Sequence, residues 1–179
     1  IIEIGAVKIK NGEVTDTFSE LIDPGVKLNS IITKITNITD AMLKGKEKEE
    51  VVFKRFKDWY KDGVMVAHNA KFDCSFVDMC YKKYDLGEFT NPVIDTMELS
   101  RVLNPDQARH SLSACVKRYN VEFDEEGHHR ADYDAEGTGR LLFKMLSTID
   151  SSFETINDLN RLVDKSIIHK IGRPFHITL

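Results

Sequence analysis

At 179 residues, with 41% hydrophobic and 30% charged side chains, the chain is long enough for one domain with a hydrophobic core and has the composition of a soluble globular protein. No run reaches the apolar length of a membrane span, and no signal-peptide pattern opens the chain. The net charge of −4 argues against a broad basic surface gripping long nucleic acid, though not against an acidic pocket where divalent cations neutralise a phosphate.

The chain opens inside a strand pattern. Ile1 to Lys10 is apolar at first and then alternates, with Val7 and Ile9 opposed to Lys8 and Lys10. Asn11-Gly12 predicts a tight hairpin turn and Glu13 to Ile22 the returning strand, broken by Asp23-Pro24-Gly25. Thr39 caps a short helix. A longer one covers about Glu49 to Tyr60, with Val52, Phe56 and Trp59 on its inner face, and stops at Asp62-Gly63. Val64 to Ala67 is a short apolar run of buried-strand type. A helix from about Ala70 to Tyr84 follows it, with Phe72, Phe76, Cys80 and Tyr84 spaced by four. Pro92 to Ile94 is another short strand, leading into Asp95-Thr96-Met97-Glu98, which has the form of a helix-capping box. Asn104-Pro105 ends that helix, and Ser111 caps the next, which reaches Tyr119. The loop Asn120 to Arg130 holds acids and two adjacent histidines. Ala131, Ala135, Thr138, Leu142 and Met145 stripe a long final helix. Strands first, then helices interleaved with short buried strands, predict an α/β fold, a mixed sheet with helices on its faces. Residues 1–150 form one domain, and 151–179, polar and weakly periodic, an extension toward another. Cys74, Cys80 and Cys115 form no CxxC pair, which suits a reducing cytosol and reads as three small core residues.

Two stretches could carry chemistry. In His68-Asn69-Ala70-Lys71-Phe72-Asp73 a buried strand hands over to a helix, and α/β folds place their sites at strand ends. In His129-Arg130-Ala131-Asp132-Tyr133-Asp134 a loop histidine precedes by five positions an aspartate on the final helix. Each has a plainer reading. The helix dipole favours an aspartate in any first turn, and His128-His129 reads equally as a solvated loop pair. Zinc does not fit, since no cysteine lies at ligand spacing around the histidines.

In this order and separation the two stretches resemble the DEDDh exonuclease superfamily, whose fold is similar to ribonuclease H. Its second motif is matched by His68 to Asp73 and its third by His129 to Asp134. Ile1 to Val7, Ile35 to Leu43 and Val93 to Thr96 are similar to further blocks, so the likeness runs from Ile1 to about Leu146. Within that superfamily, His128 to Ala131, Asn91 to Thr96 and Arg173 to His176 resemble the exonuclease domain embedded in PolC-type DNA polymerase III. The resemblance implies a ribonuclease H-like mixed sheet flanked by helices. It also implies a proofreading 3′→5′ exonuclease of the cytoplasm, acting on single-stranded or frayed DNA 3′ ends beside the remaining domains of a replicative polymerase. Two divalent ions, Mg2+ or Mn2+, are implied, Asp134 holding the one that carries the attacking water and Asp73 the one on the leaving-group side. His129 is implied as the general base. His68, Asn69 and Phe72 are expected near the terminal nucleotide. For Phe72 core packing is favoured over base stacking, because it lies on the apolar stripe; for His68 a structural hydrogen-bonding role competes equally.

The family's Asp-x-Glu on its first strand, which completes four carboxylates, is not in this sequence. Glu3 falls in the second strand's pattern and does not replace it. The first, central strand is therefore expected ahead of Ile1, and these 179 residues alone are expected to fold poorly and to be inactive with magnesium or manganese. Two other readings stay open: a superfamily member trimming RNA 3′ ends, and a catalytically silent domain that binds strand ends.

Overall fold

The computed structural model describes residues 1–122 and 131–149. β1 (Glu3–Lys10) and β2 (Glu13–Leu21) form an antiparallel hairpin. Asn11 and Gly12 both take positive φ, 54° and 84°, the turn whose twist matches right-twisted flanking strands. α1 (Ser30–Thr36) and α2 (Asp40–Leu43) follow, capped by Asn29 and Thr39. The sequence pattern did not predict α1, and its packing explains why. Ile31, Ile32 and Ile35 are exposed, and the helix buries no residue, so it rests on its Asn29 cap and not on an apolar face. α3 (Glu49–Tyr60), β3 (Met65–Ala67), α4 (Ala70–Lys83), β4 (Val93–Asp95), α5 (Thr96–Leu103), α6 (Leu112–Arg118) and α7 (Ala131–Leu146) lie close to the predicted bounds. β3 and β4 pair in parallel, Met65 opposite Val93 and Ala67 opposite Asp95.

Successive residues of a strand point to opposite faces, and the short parallel pair uses both. Met65 and Val93 pack into a core built on Phe53, Phe56 and Tyr60 of α3 with Val77, Cys80 and Tyr81 of α4. Val66 and Ile94 pack into a second core of Leu99, Cys115, Val116, Leu141, Leu142 and Met145. The hairpin divides in the same way, with Ile4 and Ala6 in the first core and Gly5 against α7. Both strand pairs thus lie between the α3/α4 layer and α7, the two-sided cover that buried parallel strands need.

Two close approaches orient α7. A Cβ on Gly5 would stand 2.2 Å from the backbone of Ala131 and Asp132, so only glycine lets the first turn of α7 rest on β1. Eight residues along α7, Gly139 meets the Ile9 side chain. Four strand residues and eight helical residues both span roughly 12–13 Å, so α7 runs alongside β1 in the same direction. It also packs on β3 and so bridges the two strand pairs. Those pairs are separate two-stranded sheets among the described residues. The expected mixed sheet is present as an antiparallel and a parallel flank, and its expected central strand has no counterpart among the described residues.

The inner face of α4 differs from the predicted stripe. Ala70, Val77, Cys80 and Tyr81 are buried, while Phe72 is 61% exposed and Phe76 36%. Each step of four residues turns a helix about 40° past a full turn, so spacing by four from Phe72 to Cys80 drifts about 80° off one face. Core packing of Phe72 is thereby corrected. Cys80 and Cys115 are buried, as expected of small core residues, Cys74 is half-buried against the first core, and burial pushes the Cys80 thiol up to about 11.

Candidate active site

At the end of β3, His68 and Asn69 lead into α4. Asn69 takes the left-handed conformation, φ 68° and ψ 50°, and its side chain makes no capping bond to the helix. The cap comes instead from the neighbouring strand. Oδ1 of Asp95 accepts the Asn69 N–H at 3.0 Å, and Oδ2 accepts the Ala70 N–H at 2.9 Å. Oδ1 also caps its own helix, accepting from Met97 at 2.9 Å and Glu98 at 3.3 Å. The carboxylate of Glu98 pairs with Arg101. One carboxylate therefore satisfies the first amides of two helices leaving adjacent parallel strands. The only physical role the sequence pattern gave Asp95 was that of a cap to its own helix. Its grip on α4 depends on the register that sets Asp95 beside the end of β3.

His68 anchors the floor of this junction. Its Nε2 lies 2.7 Å from the His110 carbonyl and its Nδ1 2.9 Å from Thr96 Oγ1. A carbonyl only accepts, so Nε2 carries the proton and donates, and in the neutral ring the Thr96 hydroxyl donates to Nδ1. Burial is the main influence on the ring and holds its pKa below the ordinary 6.5, against the His110 carbonyl and the negative charge of Asp95. Both ring nitrogens of His68 are thus engaged within the fold. Below it, the fully buried Ser100 hydroxyl meets His110 Nδ1 at 2.9 Å, Arg118 Nη1 at 3.1 Å and Cys115 Sγ at 3.2 Å. Arg118 also donates to the Arg109 carbonyl at 2.7 Å. Directional bonds thus tie the loop before α6 to α5 and to the end of β3.

Asp73 occupies the first turn of α4 and is solvent-accessible. Its carboxyl is held above the ordinary 3.8, first by desolvation among surrounding protein atoms and then by the charge of Asp95, against a hydrogen bond from its own backbone N–H. A carboxylate so placed gains from a nearby cation, and its hard oxygens suit Mg2+ or Mn2+. Phe72, beside it, stands edge-on to Phe76 with ring centroids 5.1 Å apart on the solvent side, and Asn69 is exposed. Asp134 is half-buried in the first turn of α7, on the helix that bridges the strand pairs. His68, Asn69, Phe72 and Asp73 therefore share one junction with Asp95, while Asp134 comes from the opposite layer. His129 and the 151–179 extension lie outside the described residues. Among the described residues no three His, Cys, Asp or Glu side chains converge as a ligand group.

Comparison with known proteins follows the same outline. The family model described as Exonuclease (RNase_T) matches residues 1–142. The chain is 43% identical over its whole length to DNA polymerase III PolC-type of Bacillus cereus, and 42% identical over 98% of its length to that of Lacticaseibacillus paracasei. It spans about 12% of the length of each of these relatives. Among solved structures, Exonuclease X in complex with 5′ overhanging duplex DNA is similar with a TM-score of 0.68 and 28% identity, over 91% of this chain and 90% of that one. A 3′-exonuclease recognising a histone mRNA stem-loop has a TM-score of 0.63 over 76% of this chain and 66% of its own, at 15% identity, a likeness of fold alone.

Proposed function

Because the chain belongs to the RNase_T exonuclease family, we propose that it removes nucleotides from DNA 3′ ends as the proofreading unit of a PolC-type replicative polymerase in the cytoplasm. DNA is favoured over RNA by the full-length identity to PolC-type polymerases. The observation that carries the chemistry is the place of Asp73, an accessible carboxylate in the first turn of a helix leaving a parallel strand. Asp73 and Asp134 are the residues that would hold Mg2+ or Mn2+. When bound, two such ions neutralise the phosphate and lower the pKa of the attacking water. His129 would take the proton of the attacking water, since imidazole is the side chain whose ordinary pKa, about 6.5, lies nearest neutral pH. The exposed ring of Phe72 gives the terminal base a surface to stack on, and Asn69 offers an exposed amide beside it. A frayed or mispaired end enters first because it need not be unpaired.

The test is digestion of a 5′-labelled single-stranded DNA by the complete natural protein. The reading expects a metal-dependent ladder shortened stepwise from the 3′ end. Asp134→Ala should reduce it to background while the thermal unfolding profile stays in place. Internal cleavage, digestion in excess chelator, or wild-type rates from Asp134→Ala would each overturn it. An RNA strand of the same sequence, digested faster than the DNA, would move the assignment to RNA 3′ ends.

A further inference from the structure

We propose that Asp95 is a positioning residue for the site: by capping α4 from the neighbouring strand, it fixes the helical turn that carries Asp73. The inference rests on the reading of Asp73 as a metal ligand and gives a task at the site to Asp95, which lies in the Val93 to Thr96 block and outside the two stretches that carry the candidate ligands. Helix α4 begins without a cap of its own, since Asn69 is left-handed and its side chain makes no capping bond. Its first two amides, Asn69 and Ala70, are held by the two oxygens of Asp95, at 3.0 and 2.9 Å. Asp73 lies three residues beyond Ala70, inside the turn those bonds close. The anchor is itself fixed, because Oδ1 also receives the Met97 and Glu98 amides, and Ala67 and Asp95 are register partners in the parallel pair. Both oxygens of Asp95 are taken up by backbone amides, so it acts through the turn it holds. It sets where the turn bearing Asp73 sits relative to the strand ends.

The two functions of Asp95 can be separated by side-chain reach. A serine at this position still caps its own helix through the nearby amides, yet it is too short to cross a strand spacing of about 4.8 Å to α4. Asp95→Ser and, as a second variant, Asp95→Asn are therefore compared with wild type in the complete natural protein. Asp95→Asn keeps Oδ1 and turns an amide group toward the Ala70 N–H. The first readout is backbone hydrogen exchange without metal or DNA. In Asp95→Ser, exchange over residues 69–73 should rise at least about tenfold, with residues 96–99 within about twofold of wild type, the scale of losing charge-assisted hydrogen bonds at one helix only. Asp95→Asn should move the same amides in the same direction by less. The second readout is the Mn2+ concentration giving half-maximal 3′-end digestion, which should rise about tenfold in Asp95→Ser and be offset by excess Mn2+. A residue that only stabilised the fold would lower the active fraction without moving that concentration. Unchanged exchange over 69–73, or an unchanged Mn2+ requirement, overturns the proposal. Exchange is read without metal or DNA, so its failure is distinct from failure of the nuclease reading, which an inactive wild type would mark.

Discussion

Around Phe53 the molecule is held by rings: Phe53 meets Phe56 at 6.2 Å and Tyr81 at 6.0 Å, and Phe56 meets Tyr60 at 5.0 Å. Around Asp95 it is held by directed polar bonds, through Thr96 and Ser100, both fully buried, and the rings of His68 and His110. Apolar burial scales with area and tolerates small rotations, whereas a hydrogen bond weakens steeply when its angle is lost. The aromatic core can supply most of the stability without fixing any one side chain to a fraction of an ångström. The junction does the opposite: it adds little burial and sets the direction in which α4 and α5 leave the sheet. Asp73 belongs to the junction, where orientation matters more than area.

Substitutions on the two sides should therefore fail differently. Phe53→Ala should cost about 3–5 kcal/mol of stability, the usual loss for a deleted core phenylalanine. Urea unfolding of the complete protein reads this, and the digestion rate per folded molecule should stay near wild type. Thr96→Val keeps the shape and removes the hydroxyl that serves His68 Nδ1. It should cost less, about 1–3 kcal/mol for a buried acceptor left unpaired, yet lower the digestion rate more than Phe53→Ala does. If Phe53→Ala instead harms rate and stability alike, the division between the two regions fails.

The smallest effect is on pH dependence. The folded pKa of His68 lies below the ordinary 6.5, so on acidification the unfolded chain takes up a proton that the folded ring resists. Stability conferred by this site is complete above pH 6.5 and declines as pH falls from there toward the folded pKa. Asp73, raised above 3.8, acts with the opposite sign, because the folded state holds its proton more firmly. Unfolding free energies measured from pH 7 down to 5 should fall less steeply in His68→Gln than in wild type. Equal slopes would mean that His68 is not buried as a neutral ring.

What the sequence disclosed follows the same division. Local signals were legible: Asn11-Gly12 marked the hairpin, Ser111 the start of α6, and the spacing of Val52 and Phe56 the inner face of α3. His68 to Asp73 could be placed at a strand–helix junction because apolar run, polar break and helical pattern follow one another within a few residues. Phe72 was misplaced because a repeat of four residues does not stay on one helical face. The second grip of Asp95 was hidden for another reason. It joins residues 25 and 26 positions apart through the parallel register of two three-residue strands, which no local pattern encodes. Ser100 and His110 were missed likewise, since a buried serine on a helix looks in sequence like any neutral filler until Arg118 and Cys115 are folded against it.

The central claim is that carboxylates from α4 and α7, on opposite sides of the strands, act on one metal site. Anomalous diffraction from crystals of the complete natural protein soaked in Mn2+ tests it directly. The account predicts manganese bound by Asp73 and Asp134 within a single cleft, and its loss from that cleft in Asp134→Ala. Manganese bound elsewhere, or Asp73 and Asp134 found on opposite faces of the domain with no ion shared between their neighbourhoods, would contradict it.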